Sequence, residues 1–303
     1  MWLNDLEKRL KEMGIFYKKE EVLAPYTTIK IGGPCSLMIF PKTKEEILEI
    51  LEYLEKENIH SFILGGGSNL LVADEGFDGV VLTLKEFKGM EIVKEKEKEV
   101  ILKIKAGTLV NALISLCLKE GFSGIEFLAG IPATIGGTIK MNAGAFGNTI
   151  SSFVRTIEIY KNNKLFILKS EENLWDYRVF KEEGVILEVE LKLKKMKKER
   201  IKEKVKEYIQ KRKKNQPFSK KTFGSVFKNP PNDYAGRLID ACGLKGYRIG
   251  DAEISEKHAN FIVNLGKAKA KEVLKLIKLA QDKVFEKFNI KLEPEVKFLG
   301  CSL

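Results

Sequence analysis

The chain is poor in the residues that build metal sites and disulfide frameworks. In 303 residues it has two histidines, His60 and His258, and four cysteines, Cys35, Cys117, Cys242 and Cys301. The cysteines lie far apart and form no CxxC pair, so neither a close-spaced zinc site nor a disulfide framework is expected. No metal is expected, and four reduced thiols point to a cytoplasmic setting. Long apolar runs are also missing. The longest, Leu109 to Leu118, is interrupted by Asn111 and Ser115, whereas about twenty apolar residues are needed to cross a bilayer. Met1 to Glu7 has neither the basic nor the apolar segment of a signal peptide. Membrane insertion is therefore not expected. No GK[ST] follows the glycine loops, no glycine triplet fits GxGxxG, and no GxSxG elbow occurs, which excludes a Walker loop, the usual dinucleotide fingerprint and a serine-hydrolase elbow.

Hydrophobic residues make up 44% and include 18 Phe, which excludes a disordered chain. At roughly 150 residues per domain the length suggests about two domains. Lys and Arg number 53 against 42 Asp and Glu, a net +11. This excess can mark a nucleic-acid footprint, or a surface biased toward anionic ligands. The charges interleave, as in Glu91 to Glu99, which disfavours a one-sign DNA face, and no recognition motif accompanies them.

Apolar spacing predicts helices over residues 2–13, over Lys44 to Asn58 with Thr43 and Glu46 as a capping box, over Thr108 to Glu120 closed by Gly121, and over Ala268 to Phe288. Strands are expected at His60 to Leu64, Gly79 to Leu84, Val100 to Lys105, Phe153 to Tyr160, Lys164 to Leu168 and Gly184 to Leu193. The last alternates Val185, Leu187, Val189, Leu191 and Leu193 with Glu188, Glu190 and Lys192. From Lys194 to Asn215 the chain is nearly all Lys, Arg and Glu, with a narrow stripe of Ile201, Val205, Tyr208 and Ile209, as in a solvated helix. A domain boundary is expected at its start.

Three glycine-rich or donor-rich stretches could carry chemistry. The first is Gly65-Gly66-Gly67-Ser68-Asn69-Leu70. Its glycines can turn successive N–H groups into one concavity suited to a pyrophosphate, and it could equally be a tight turn between strands. The second runs from Gly124 to Gly147 with six glycines, through Gly130-Ile131-Pro132-Ala133-Thr134-Ile135-Gly136-Gly137 and Asn142-Ala143-Gly144-Ala145. Small residues let the backbone approach a flat ligand, and the stretch reads as too glycine-rich for a helix interior. The third, Thr222 to Pro230, gathers Ser225, Lys228 and Asn229 as donors; a capped strand is the plainer reading.

Taken with Thr28 to Gly33 upstream, and with Ala235 to Asp240, Gly243 to Gly246, His258 to Asn264 and Pro294 to Val296 downstream, the order of these stretches resembles the UDP-N-acetylenolpyruvoylglucosamine reductase family in its shorter, type II form. The resemblance runs from about Thr27 to Gly300. It implies an α+β protein: a two-lobed FAD-binding domain of the vanillyl-alcohol-oxidase (PCMH) type, then a smaller α+β substrate-binding domain. The corresponding bounds are an N-terminal helix at 1–20, the FAD domain at 21–194 with lobes near 21–90 and 91–194, and the substrate domain at 195–303.

The resemblance also implies a reaction and a set of residues. NADPH as co-substrate reduces FAD, and the reduced flavin reduces the enolpyruvyl group of UDP-N-acetylglucosamine enolpyruvate, giving UDP-N-acetylmuramate for peptidoglycan. Arg178, Ser225 and Glu295 match the catalytic positions. Gly65, Gly66, Gly67, Ser68, Asn69, Leu70, Gly130, Ile131, Pro132, Ala133, Thr134, Gly136, Gly137, Asn142, Gly144 and Ala145 match cofactor contacts. Tyr177, Lys228 and Asn229 match substrate contacts, and Lys245 is a further candidate for a phosphate. Neither glycine-rich region carries a His or Cys, so FAD is expected to be noncovalent. Where the family reads Tyr-Arg-x-Ser, this chain has Tyr177-Arg178-Val179-Phe180. His258 is expected to pack or hydrogen-bond rather than shuttle protons. A monomer that binds no nucleic acid is expected. Related oxidases reduced by an alcohol substrate share the cofactor fold; the Gly224 to Pro230 run and the missing tether favour the reductase.

Overall fold

Local signals set the clearest elements of the computed structural model, which describes residues 2–303. Thr43 accepts from Glu46 N–H and Glu46 reaches back, closing a capping box ahead of helix Lys44–Lys56. Gly121, in the left-handed conformation, ends helix Val110–Glu120. One sheet has the order Tyr17–Val22, Pro34–Ile39, Phe77–Thr83, Ser61–Leu64, and its closing pair is parallel. A larger sheet has the order Lys164–Lys169, Val154–Lys161, Val185–Lys195, Glu99–Lys105, Met90–Glu95, with Phe122–Ser123 paired beside Val185–Lys195.

The chain divides into two compact units that alternate along the sequence. The first comprises residues 1–19, 37–66 and 79–210; the second comprises 20–36, 67–78 and 211–303. The division differs from a single cut near residue 194, for visible reasons. In the second unit Leu70–Val72 pairs in parallel with Lys297–Leu299, and Gly33 N–H bonds Ala73 O. In the first unit helix Lys198–Asn215 buries Ile201 and Val205 in that unit's core. The basic run is thus a helix with one buried stripe.

In the first unit, Val185–Lys195 is the central strand. Val189 lies opposite both Ile157 and Ile104, and Leu191 opposite Leu102, so one face forms an apolar ladder. The other face is not simply solvated. Glu188 is only 7% exposed and lies directly opposite Glu158, a like-charge pair that would destabilise the sheet. Lys44, at the start of its helix, reaches both carboxylates at 2.7 and 2.8 Å, and Lys103 reaches Glu188 at 2.8 Å. Burial opposes the charge on Glu188, but hydrogen bonds from Lys103 and Lys44 outweigh it and hold the carboxyl at about 2.

The second unit has its own core, built on a three-stranded antiparallel sheet of Arg248–Ile249, Ala252–Ile254 and Ile262–Asn264. Helix Ala270–Phe288 buries Val273, Leu276, Ile277, Ala280 and Val284. Asp74 accepts from the N–H groups of Ala270 and Lys271 at its first turn, a capping role from far away in sequence.

Two local expectations need correction. The Gly124–Gly147 stretch does contain a helix, Ile135–Lys140, with Gly136 and Gly137 inside it. Propensity loses to packing there, because a Cβ on Gly136 would lie 2.9 Å from the Ala106 side chain. Thr222 to Pro230 is not a strand of a named sheet; it is extended chain joined by single bridges to Phe261 and Pro294. No disulfide joins any of the four cysteines. No helix among the described residues is long and apolar enough to cross a membrane.

A carboxyl at about 2 in the fold, against 4.5 when unfolded, contributes stability that is complete above about 4.5 and is lost as pH falls toward 2. Glu188→Gln leaves Lys103 without its carboxylate and Lys44 with Glu158 alone, and should cost about 3 kcal/mol at pH 7. In urea unfolding, the gap between wild type and variant should shrink steeply between pH 5 and 3. An equal gap at both pH values would contradict this account.

Candidate active site

The glycine turn follows strand Ser61–Leu64 directly. Within the first unit, Gly65 and Gly66 press against the second glycine-rich stretch. A Cβ on Gly65 would stand 2.8 Å from Thr134 Oγ1, and one on Gly66 would stand 2.6 Å from Pro132 O and 2.8 Å from Ala133 Cα. Two of the stretches singled out in the sequence are therefore packed backbone to backbone. Beside the turn, Thr83 is the register partner of Leu64. Its hydroxyl is buried and has no hydrogen-bond partner in the protein.

Within the second unit, Gly67 O accepts from Thr28 N–H at 3.0 Å. Ser68 and Asn69 are half-buried, while Leu70 is 3% exposed and opens a strand. Asn69 Nδ2 donates to Glu295 O at 3.1 Å.

The Gly130–Ala145 stretch spends much of its polarity internally. Ile135 and Gly136 N–H bond Thr108 O and Ala106 O, and Gly137 N–H bonds Thr134 Oγ1. Ile131 N–H bonds Leu128 O and Ala133 N–H bonds Ile131 O. Upstream, the buried Glu126 carboxylate accepts from Ser123 Oγ at 2.5 Å and Gly124 N–H at 2.9 Å. Asn142 is 6% exposed and left-handed, with φ 39°. Its Nδ2 donates to Asp176 O at 2.9 Å.

Asp176 precedes the tip of a small hairpin in which Trp175 pairs with Phe180 and Asp176 with Val179. Tyr177 and Arg178 form the two-residue turn, and Arg178 has φ 63°, a position that usually takes glycine. Arg178 is half-buried with its guanidinium 5.1 Å from the Tyr177 ring centroid. Gly144 lies beneath it, since a Cβ there would be 2.9 Å from Arg178 Nη1. Phe180 is 2% exposed and its ring sits 5.0 Å from Trp175, so the hairpin base is anchored by packing.

In the second unit the structure brings Ser225 and Glu295 onto neighbouring segments. Ser225 bridges Phe261, and Glu295 N–H donates to Val226 O at 2.8 Å. Both side chains are half-buried. Asn260 holds this segment: its O accepts from Val226 N–H, its Oδ1 from Phe227 N–H, and its Nδ2 donates to Phe227 O at 2.8 Å. His258 Nδ1 accepts from Asn260 N–H. Burial, with the nearby Lys245 charge, pushes the His258 imidazole down, so it is neutral at pH 7 and holds a turn. Lys228 pairs with Glu293 at 2.5 Å. Asn229 Oδ1 accepts from Ala235 N–H at the start of helix Ala235–Ala241, and Lys245 pairs with Asp240.

Thr83, Glu126 and the clamping role of Asn260 are absent from the sequence reading. Each lies in a segment whose apolar pattern or motif was visible, but the partner that gives it meaning lies elsewhere in the fold. The residues present fit a dinucleotide: a bare glycine turn, a small-residue stretch packed on it, and a buried hydroxyl beside them without a protein partner.

Residues 35–163 match the FAD binding domain family, and residues 216–299 match the C-terminal domain of UDP-N-acetylenolpyruvoylglucosamine reductase. A solvent-stable cholesterol oxidase shares the fold at TM-score 0.50 and 16% identity, over 60% of this chain and 38% of the oxidase. Fold and domain match together define an FAD-dependent oxidoreductase. The UDP-N-acetylenolpyruvoylglucosamine reductase of Caldanaerobacter subterraneus subsp. tengcongensis is 38% identical over 302 residues, covering 98% of each chain. That of Caldicellulosiruptor bescii is 39% identical over 302 residues, 98% of this chain and 95% of the relative. The crystal structure of the Thermus caldophilus UDP-N-acetylenolpyruvylglucosamine reductase superposes at TM-score 0.80 and 37% identity, covering 94% of this chain and 98% of the other. The chain belongs to the UDP-N-acetylenolpyruvoylglucosamine reductase family.

Gly66→Ala tests the packed turn. The added methyl meets backbone rather than a movable side chain, so Pro132–Thr134 must shift. FAD affinity, read by quenching of flavin fluorescence, should fall at least tenfold, about 1.4 kcal/mol. Unchanged affinity would show that the contact does not shape the cofactor site.

Proposed function

We propose that this chain reduces the enolpyruvyl ether of UDP-N-acetylglucosamine enolpyruvate to the lactyl ether, giving UDP-N-acetylmuramate, with FAD as cofactor and NADPH as co-substrate. The observation that carries the reading is the joining of Ser225 and Glu295 on hydrogen-bonded neighbouring segments, in a chain that matches the family along nearly its whole length. When bound, FAD supplies the hydride chemistry, accepting hydride from NADPH and delivering it to the terminal vinyl carbon.

The chain's own groups handle the charge that follows. Negative charge develops at the carbon bearing the carboxylate. Arg178 presents a planar guanidinium with paired donors, suited to holding that carboxylate in two hydrogen bonds. Ser225 donates its hydroxyl proton to the carbon. A hydroxyl is a weak acid and stays neutral beforehand, yet a carbanion is basic enough to take its proton. Glu295 completes the polar surroundings of the intermediate. Tyr177, Lys228 and Asn229 meet the nucleotide sugar; the Lys228 ammonium has donors to spare beyond its bond to Glu293.

Cofactor contacts are assigned to Gly65–Leu70, Gly130–Thr134, Gly136, Gly137, Asn142, Gly144 and Ala145. FAD is held without a covalent tether. The FAD-binding domain is assigned to 21–194, in lobes near 21–90 and 91–194, and also lends Tyr177 and Arg178 to the substrate; the substrate-binding domain is assigned to 195–303. The enzyme acts as a monomer in the cytoplasm, where nucleotide-linked substrate and NADPH are both dissolved.

Anaerobic titration tests the reaction. NADPH should bleach the yellow protein and the enolpyruvyl substrate should restore the colour; flavin that stays oxidised in excess NADPH contradicts the reading. In Ser225→Ala, reoxidation by substrate should slow by roughly 10²–10⁴ relative to reduction by NADPH, the scale of a missing acid. Equal damage to both steps would assign Ser225 a structural role.

A further inference from the structure

We propose that Asn142 is a positioning residue for Arg178, holding the arginine hairpin in register for the substrate step; this rests on the reading of Arg178 as the carboxylate-binding group. The turn at Tyr177–Arg178 needs outside support. Arg178 occupies left-handed φ space, which costs a residue with a side chain about 1–2 kcal/mol and persists only when the surroundings enforce it. Trp175, packed on Phe180 and bonded through Nε1 to Ser170 Oγ at 3.1 Å, fixes the hairpin base. The Tyr177 N–H bond to Asp176 Oδ1, 2.7 Å, is local to the turn.

Asn142 reaches the hairpin from a different segment. Its Nδ2 takes Asp176 O at 2.9 Å while its Oδ1 accepts from Ser151 N–H at 3.4 Å. The amide therefore ties the residue before the turn to the turn of chain after the Gly144–Thr149 hairpin. Two residues on, Gly144 offers the bare backbone beside Arg178 Nη1. One short segment thus pins the hairpin's main chain and seats its guanidinium. The residue type follows. Position 142 needs a left-handed backbone, a donor and an acceptor on a short stem. Asn meets all three, Asp lacks the donor, and Gly lacks the amide.

The proposal gives Asn142 work in the substrate half of the cycle beyond any contact with FAD. The test uses holoenzyme and the variants Asn142→Gly, Arg178→Ala and the double variant. Asn142→Gly keeps the left-handed backbone and removes the amide. Reduction by NADPH and reoxidation by the enolpyruvyl substrate are followed by flavin absorbance, FAD affinity by fluorescence quenching, and folding by thermal melts. Asn142→Gly should slow reoxidation roughly 10–100-fold, the scale of a misplaced group, and at least tenfold more than it slows reduction. In the Arg178→Ala background it should add less than twofold, because the residue it positions is gone. Asn142→Asp, which retains the Ser151 acceptor, should give the same pattern and carries the test if the glycine variant melts below assay temperature. Additive losses, or weakened FAD binding with normal reoxidation at saturation, would overturn the role of Asn142. Wild-type reoxidation in Arg178→Ala would instead overturn the reading of Arg178 itself.

Discussion

Irregular backbone that is buried must still find hydrogen-bond partners, and here asparagine amides supply them. An unpaired buried N–H or C=O costs about 1–3 kcal/mol, so buried loop backbone needs partners within the protein. Asn69 takes Glu295 O, Asn142 takes Asp176 O, and Asn260 takes both polar groups of Phe227. Asn264 bonds Ile29 O and receives Gly266 and Ala268 N–H. An asparagine amide donates and accepts from two separate atoms on a short stem, so it can bond two backbone groups at once, whereas a carboxylate has no donor. Three of the four bond segments that carry or adjoin the proposed site residues Arg178, Ser225 and Glu295, so the same bonds order the backbone around those residues.

Electrostatics plays a different part in the first unit. Glu158 and Glu188 face each other across strands, and the sheet tolerates them because Lys44 and Lys103 sit between. This cluster balances two lysines against two carboxylates and so adds nothing to the net positive charge. Exposed pairs such as Lys8 with Glu12 and Lys278 with Asp282 are likewise neutral and contribute little individually. Neither feature calls for a polyanionic partner, and the family's substrates, a nucleotide sugar and NADPH, are anions that a basic surface attracts.

Regular elements were readable to within a residue or two where the signal was local. The capping box at Thr43 and the alternation of Val185–Lys195 announce themselves, and so does the long stripe of Ala270–Phe288. Tyr17–Val22 was invisible because Tyr-Lys-Lys-Glu-Glu-Val has no apolar alternation. Glu188 reads as solvent-facing because the lysines that neutralise it come from residues 44 and 103, far away in sequence. Helix Ile135–Lys140 hid behind two glycines that packing requires. The assignment of Arg178, Ser225 and Glu295 as candidate catalytic residues rests on resemblance, since no spacing rule links them. Thr83 and the clamp at Asn260 had no local signal, because each is defined by what lies beside it in space.

Side-chain amides that bond the backbone of these loops should make them as rigid as the sheets. Amide hydrogen exchange of the holoenzyme should show Phe227 N–H, bonded to Asn260, exchanging as slowly as the strand amides of Ile262–Asn264. Ser151 N–H, bonded to Asn142, should be protected well beyond an open loop. Exchange of Phe227 at the rate of a solvent-exposed loop would contradict the account, leaving the order of the Ser225 segment without its cause.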